Sequence, residues 1–185
     1  MDEIDRLVAE WNRVRPDLDS SPAQTLTRIT RLALLQAVSF APVFARYGLT
    51  WGEYLVLAAL RRSGPPFRMT PTRLFSSLLL SSGAMTNRLD RLEEMELVRR
   101  LPDPSDRRGR LVELTPTARR LVDKAVVDHL ANEEQLIALL SRSERARLAE
   151  LLRKLLLSKP FRALDRASVS DAADPVRRRR RRPPG

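Results

Sequence analysis

Between Met69 and Thr115 the hydrophobic period of the chain changes from helical to extended, and this ordered change limits its fold more than any other feature. A first short helix is predicted from Pro71 to roughly Leu79, with Thr70 placed to cap it and Pro71 at its first position, where no N–H is needed. A second is predicted to open at Ser81, Ser82 and Gly83, two hydroxyls and a slim residue, and to continue as AMTNRLDRLEEM. After Leu97 come two short extended runs, Val98 to Leu101 and Leu111 to Leu114, whose residues alternate faces.

In the second helix Met85, Leu89 and Leu92 are spaced by four and three, so they form one apolar stripe facing the core. Gly83, Thr86, Asn87 and Arg91 lie mostly away from it and offer small, hydroxyl, amide and guanidinium groups suited to phosphates and base edges. Arg88 falls at the boundary of the stripe. Between the strands lies PDPSDRRGR, expected as a flexible loop that carries Arg107, Arg108 and Arg110 around Gly109, the glycine permitting a tight reversal. A cationic tip of this kind suits the narrow minor groove, where negative potential is strongest. Helix pairs and basic hairpins each occur without nucleic acid; their combination in this order reads as a winged helix-turn-helix. Thr86, Asn87 and Arg91 are then expected on the major groove, Ser81 and Ser82 on the backbone, and Arg108 in the minor groove.

Composition narrows the alternatives. Of the net charge of +11, seven arginines against Asp171 and Asp174 place +5 from Arg166 onward and leave +6 in the rest, so the preference for a polyanion is not only a tail effect. Cysteine is absent, which excludes disulfides and a thiol switch. His129 is the single histidine, so no zinc-type ligand spacing exists, and it is expected on a helix surface or interface. An enzyme reading fails for lack of parts: one candidate general base, no phosphate-binding glycine loop, and carboxylates on charged helix faces. No cofactor is expected. Nor is there a signal pattern or an apolar run of about eighteen residues, so a soluble, cytoplasmic protein with no membrane partner is expected.

The flanking segments read as helices. Ile4, Leu7, Val8, Trp11 and Val14 make an amphipathic first helix ended by Arg15-Pro16-Asp17, with Trp11 a docking anchor for it. A long helix follows from about Ala23 to Tyr47, in which Pro42 predicts a kink or break. Gly48 ends it and Thr50 caps WGEYLVLAALRRSG, closed by Gly64. Beyond the wing, Thr115-Pro116 starts a helix to about Leu140, and a last helix ends near Ser158-Lys159-Pro160; Ser143, followed by Ala146 three residues on, lacks a full capping box. The domains expected are a helix and linker over 1–22, a body over 23–160 with its core at 49–115 and dimerisation helices at 23–47 and 116–158, and a disordered basic tail over 161–185. The apolar faces of the long helices exceed what one small domain buries, so the fold class is mainly α with a small β-hairpin wing, joined to a helical dimerisation region.

The run LSSGAMTNRLDRLEEMELVRRLPDPSDRRGRLVELTPTARRLV, with Asp106 to Gly109 in its wing, resembles the DNA-binding core of the multiple-antibiotic-resistance regulator (MarR) family. The likeness extends from about Arg28 to Leu157. It implies a homodimeric regulator, more often a repressor, on an inverted-repeat operator of double-stranded DNA, released by a small aromatic or anionic effector held between the dimer helices and the reading helix. Trp11, Arg88 and Arg100 resemble the ligand-binding positions of a urate-responsive subgroup, but Leu55 stands where that subgroup carries an acid, which argues against urate. For Arg88 a salt bridge to Asp90, Glu93 or a partner subunit is an equal alternative. Two other readings use the same residues: a non-specific basic DNA-associated protein, and a ligand-binding module that no longer reads DNA.

Overall fold

Short polar side chains at the helix starts set the frame. In the computed structural model, which describes residues 1–78 and 85–164 apart from the side chains of Phe75, Met85, Arg107 and Arg108, helix α1 (Glu3–Val14) is capped by Asp2, whose carboxylate accepts from the Ile4 and Asp5 N–H groups at 2.9 Å each. Asp5 reciprocates on the Asp2 N–H at 2.8 Å, completing a capping box. Its inner face is Ile4 and Val8, and Arg28 of α2 (Ser21–Ala45) ties down its first turn through Asp2 at 2.9 Å and Asp5 at 2.5 Å. Helix α2 runs unbroken through Pro42 and ends three residues later. The expected break is absent: the ring deprives a single carbonyl, that of Val38, of its donor, and only three helical residues follow it.

Gly48, at φ +68°, supplies the left-handed residue after α2, and Thr50 caps α3 (Trp51–Arg62) with Glu53 as its reciprocal partner. Next comes a strand that the sequence pattern does not reveal, β1 (Arg68–Met69), so the wing sheet has three strands in the order β1-β3-β2 rather than two. Helix α4 (Pro71–Ser77) starts from Thr70, whose hydroxyl accepts from the Arg73 N–H at 3.2 Å. Helix α5 is described over Met85–Glu94; the start expected at Ser81, Ser82 and Gly83 lies outside the described residues.

Strands β2 (Val98–Asp103) and β3 (Asp106–Leu114) are longer than expected and leave only Pro104 and Ser105 in the turn. Arg107 to Arg110 therefore lie within β3 and not in a loop, with Arg110 opposite Pro102, Asp106 opposite Asp103 and an irregular register between the two pairs. Gly109 does not make the reversal either, since its φ is not positive. A Cβ there would lie 2.9 Å from Asp103 Cβ and 3.0 Å from Asp106 Cβ, so the glycine lets the irregular hairpin end close.

Helix α6 (Pro116–Leu136) begins at Thr115, which caps the Ala118 N–H at 3.2 Å, and stops four residues short of the expected end at Leu140. Helix α7 (Arg142–Leu156) has a full capping box from Ser141 and Glu144, two residues earlier than the Ser143–Ala146 pair expected from sequence. Residues 159–164 are again helical, so the first four residues of the expected tail are ordered, and 165–185 lie outside the described residues.

The core sits where α2, α3, α4, α5, α6 and the inner sheet face meet. Phe44, Leu57, Leu60, Leu74, Leu92, Val98 and Val112 are fully buried there, each worth about 1.5–3 kcal/mol of transfer free energy. His129 belongs to this core and not to a surface: it is 8% exposed and lies against Phe40, Phe44, Trp51 and Tyr54. Among the described residues, no helix is long and apolar enough to cross a membrane.

Candidate nucleic-acid interface

Helix α5 is held on one side and open on the other. Leu89 and Leu92, at 4% and 0% exposure, fix the inner face, while Thr86 and Asn87 stand exposed. Two arginines set its orientation. Arg91 reaches across to α3, where its Nε lies 3.3 Å from the buried Glu53 carboxylate, and its Nη2 donates to the Gly48 carbonyl at 3.5 Å. Arg100 reaches back from β2 to α5, donating to Asp90 at 2.5 Å and Glu93 at 2.9 Å, while its backbone N–H donates to Glu93 at 3.1 Å. The reading helix, its wing and the start of α3 are thus cross-linked by ion pairs.

Those pairings reassign two expected roles. The carboxylates considered as partners for Arg88 are taken by Arg100, so Arg100 is not free for a ligand in this structure. Arg88 instead lies against Gly52: a Cβ on that glycine would be 2.6 Å from Arg88 Nε and 2.7 Å from Cζ. Its Nη1 is buried with no hydrogen-bond partner. Trp11 follows Ile4 and Val8 on the same face of α1, one turn further on, and is 50% exposed, so one chain covers only half of it. No hydrogen bond, ion pair or ring contact among the described residues joins Trp11 to Arg88 or Arg100.

In the wing, Asp103 accepts from the Ser105 N–H at 2.9 Å and hydroxyl at 2.6 Å, which holds its carboxyl below the usual range and shapes the turn. Arg110 is exposed on β3. Arg107 and Arg108 have their backbones in β3, and their side chains, like Ser81, Ser82 and Gly83, lie outside the described residues.

Behind α5, an aromatic cluster joins α2, α3 and α6. Phe44 and Tyr54 stack at 4.3 Å, and the His129 ring lies 4.7 Å from Phe40 and 5.2 Å from Trp51. Burial pushes the Tyr54 hydroxyl up and the His129 imidazole down; Glu133, 3.5 Å from His129 Nε2, opposes the latter only in part. His129 Nδ1 has no hydrogen-bond partner. Glu53 is the residue that sequence reasoning missed at this site. Its signal was the T-x-x-E spacing from Thr50, which marks a capping carboxylate near the helix start.

The described geometry is a helix presenting hydroxyl and amide groups, braced by a two-stranded ribbon, on a body of long helices. Residues 49–109 match the model of the MarR family. The HTH-type transcriptional regulator PecS of Dickeya dadantii is 34% identical over 150 residues, covering 81% of this chain and 90% of PecS. The chain belongs to the MarR family. Among solved MarR-family structures, a mutant of MarR from E. coli complexed with operator DNA superposes with a TM-score of 0.64 at 27% identity, over 79% of this chain and 97% of that one. BpsR of Bordetella bronchiseptica, whose DNA binding is regulated by 6-hydroxynicotinic acid, gives a TM-score of 0.64 at 26% identity over 71% of this chain and 98% of its own. The mainly helical fold with a small antiparallel sheet is the winged helix of these MarR-family proteins.

Proposed function

We propose that this MarR-family chain is a sequence-specific DNA-binding transcription regulator, a repressor that acts in the cytoplasm on an inverted-repeat operator as a homodimer. The observation that carries the reading is the pair Thr86 and Asn87, exposed on a helix that Leu89 and Leu92 hold to the core and that ion pairs of Arg91 and Arg100 brace, with Arg91 itself still 53% exposed. A braced helix with exposed amide and hydroxyl groups suits base edges, because Asn pairs with adenine through two hydrogen bonds. Ser81, Ser82, Gly83, Arg91, Arg107, Arg108 and Arg110 complete the proposed DNA contacts. The complex of the E. coli MarR mutant with operator DNA supports DNA as the partner.

Homodimerisation is supported by apolar side chains that one chain leaves in solvent: Leu32, Leu34, Leu35 and Val38 on α2, and Leu139 and Leu156 near the other end. Two-fold pairing would set two reading helices about one helical turn of DNA apart.

The effector is proposed to be a small aromatic or anionic molecule, and the support is Arg88. A buried guanidinium nitrogen with no acceptor costs free energy that an incoming carboxylate would recover. Leu55, packed against the core, offers no hydrogen bond and disfavours urate.

The test is a pair of substitutions read on an operator and on unrelated DNA. Asn87→Ala should change base preference, whereas Arg108→Ala should weaken binding on all sequences by a similar factor. Unchanged operator affinity in both variants would overturn the docking.

A further inference from the structure

The outer face of the wing sheet meets the first turn of α6 around a cavity of about 240 Å³ that the DNA-reading geometry does not use. Phe67, Arg99, Glu113, Thr115, Pro116 and Arg119 line it. Register explains how the charges meet: Arg68, Glu113 and Arg99 lie abreast across β1, β3 and β2, one residue out of phase with the buried Met69 and Val112 and so on the opposite face. Arg68 neutralises Glu113 at 2.9 Å. Arg99 and Arg119, by contrast, make no side-chain ion pair or hydrogen bond among the described residues.

Phe67 keeps one of these cations in place. Its backbone is left-handed, at φ +59°, and the guanidinium carbons of Arg61 and Arg119 lie 5.3 and 5.6 Å from its ring centroid. Arg61 also bonds Asp123 at 2.8 Å, so its charge is matched. Arg119 has only the ring, which leaves its N–H groups available at the cavity edge. The result is a pocket with two unmatched guanidiniums, one neutralised carboxylate, and walls from Phe67, Leu114 and Pro116.

We infer that this cavity binds a small organic carboxylate, with Arg99 and Arg119 on the carboxylate oxygens and the ring and proline against its apolar part. The guanidinium fork matches a carboxylate, and the apolar walls favour an anion with a hydrocarbon body over a bare one. A DNA phosphate fits poorly, because Arg99 is five residues from the turn at Pro104, or roughly 17 Å along the strand toward the body. The site bridges the wing strands and α6, so its occupant would tie the wing to the long helix. That consequence for DNA rests on the proposed function; the binding itself does not.

The test is calorimetric titration of the full-length chain with sodium benzoate at constant ionic strength, alongside neutral benzamide and inorganic phosphate. Benzoate should bind, with benzamide and phosphate at least about tenfold weaker. Arg99→Gln and Arg119→Gln, both at exposed positions, should each weaken benzoate by about tenfold, and Phe67→Leu should do so with no loss of charge. Arg88→Gln should leave this binding unchanged. Benzoate binding lost in Arg88→Gln yet intact in the Arg99 and Arg119 variants would place it in the effector crevice and overturn the inference, as would equal affinity for phosphate or no binding at about 10 mM. None of these outcomes bears on operator binding, which is measured separately.

Discussion

The Arg88 guanidinium occupies the space that a side chain on Gly52 would need, with Nε 2.6 Å from the position of that absent Cβ. The contact joins the reading helix α5 to the first turn of α3, beside the second link from Arg91 to Glu53. A glycine at the second position of a helix contributes little to helix propensity, so close approach is its physical justification here.

Gly52→Ala should therefore displace Arg88 without unfolding the protein. The atoms it meets are the far end of a flexible side chain, so the expected stability cost is below about 1 kcal/mol. The effector response should change as it does in Arg88→Ala. Chemical denaturation together with effector titration of DNA binding checks this; a normal effector response in Gly52→Ala would show that the guanidinium's seat is irrelevant.

Arg100→Gln removes the tie between β2 and α5. All three partners are more than a third exposed, so solvent screening limits the loss of stability to about 0.5–1 kcal/mol. Operator affinity should fall more, by about tenfold, because the wing and helix no longer hold one relative orientation. Equal small losses in stability and affinity would contradict a positioning role.

His129 predicts a pH dependence. Its folded pKa is depressed by burial below the ordinary 6.5, so the unfolded chain binds the proton more readily. The contribution to stability is complete above that value and is lost as pH falls below it, with a slope no steeper than about 1.4 kcal/mol per pH unit for one proton. Urea denaturation of the parent chain and of His129→Phe, which keeps a ring among Phe40, Phe44, Trp51 and Tyr54, should diverge in this window. Parallel pH profiles would show that the imidazole titrates alike in the folded and unfolded chain, and would contradict the depressed pKa.

Leu35→Glu with Val38→Glu tests the dimer. Both positions are exposed in one chain, at 49% and 71%, so the fold should tolerate the change. Light scattering should give twice 21.1 kDa for the parent and the single-chain mass for the variant. An unchanged mass would remove this face of α2 from the interface.

Local chemistry was legible in the sequence where one residue decides the outcome. Thr50 and Thr70 cap their helices, Gly48 takes the left-handed turn, and Leu89 and Leu92 carry α5 inward. Strand β1 was not legible, because two residues, Arg68 and Met69, show no period and become a strand only by pairing with Val112 and Glu113. The wing was misjudged for the opposite reason: Pro102, Asp103 and Gly109 are turn-forming types, yet an irregular register absorbs them into the hairpin. Ion pairs need three-dimensional neighbours, so the capture of Asp90 and Glu93 by Arg100 was invisible from spacing alone. His129 looked like a surface residue because a single polar side chain on a charged helix gives no sign of the aromatic cluster contributed by α2 and α3.

Operator binding by the full-length chain tests the central claim most directly. The chain's own upstream intergenic DNA should be bound in the presence of excess unrelated DNA and at rising salt, and released by one member of a panel of aromatic acids that includes urate. Binding that passes entirely to the competitor, with no effect of any acid, would contradict a ligand-switched sequence reader and leave a non-specific basic DNA-associated protein in its place.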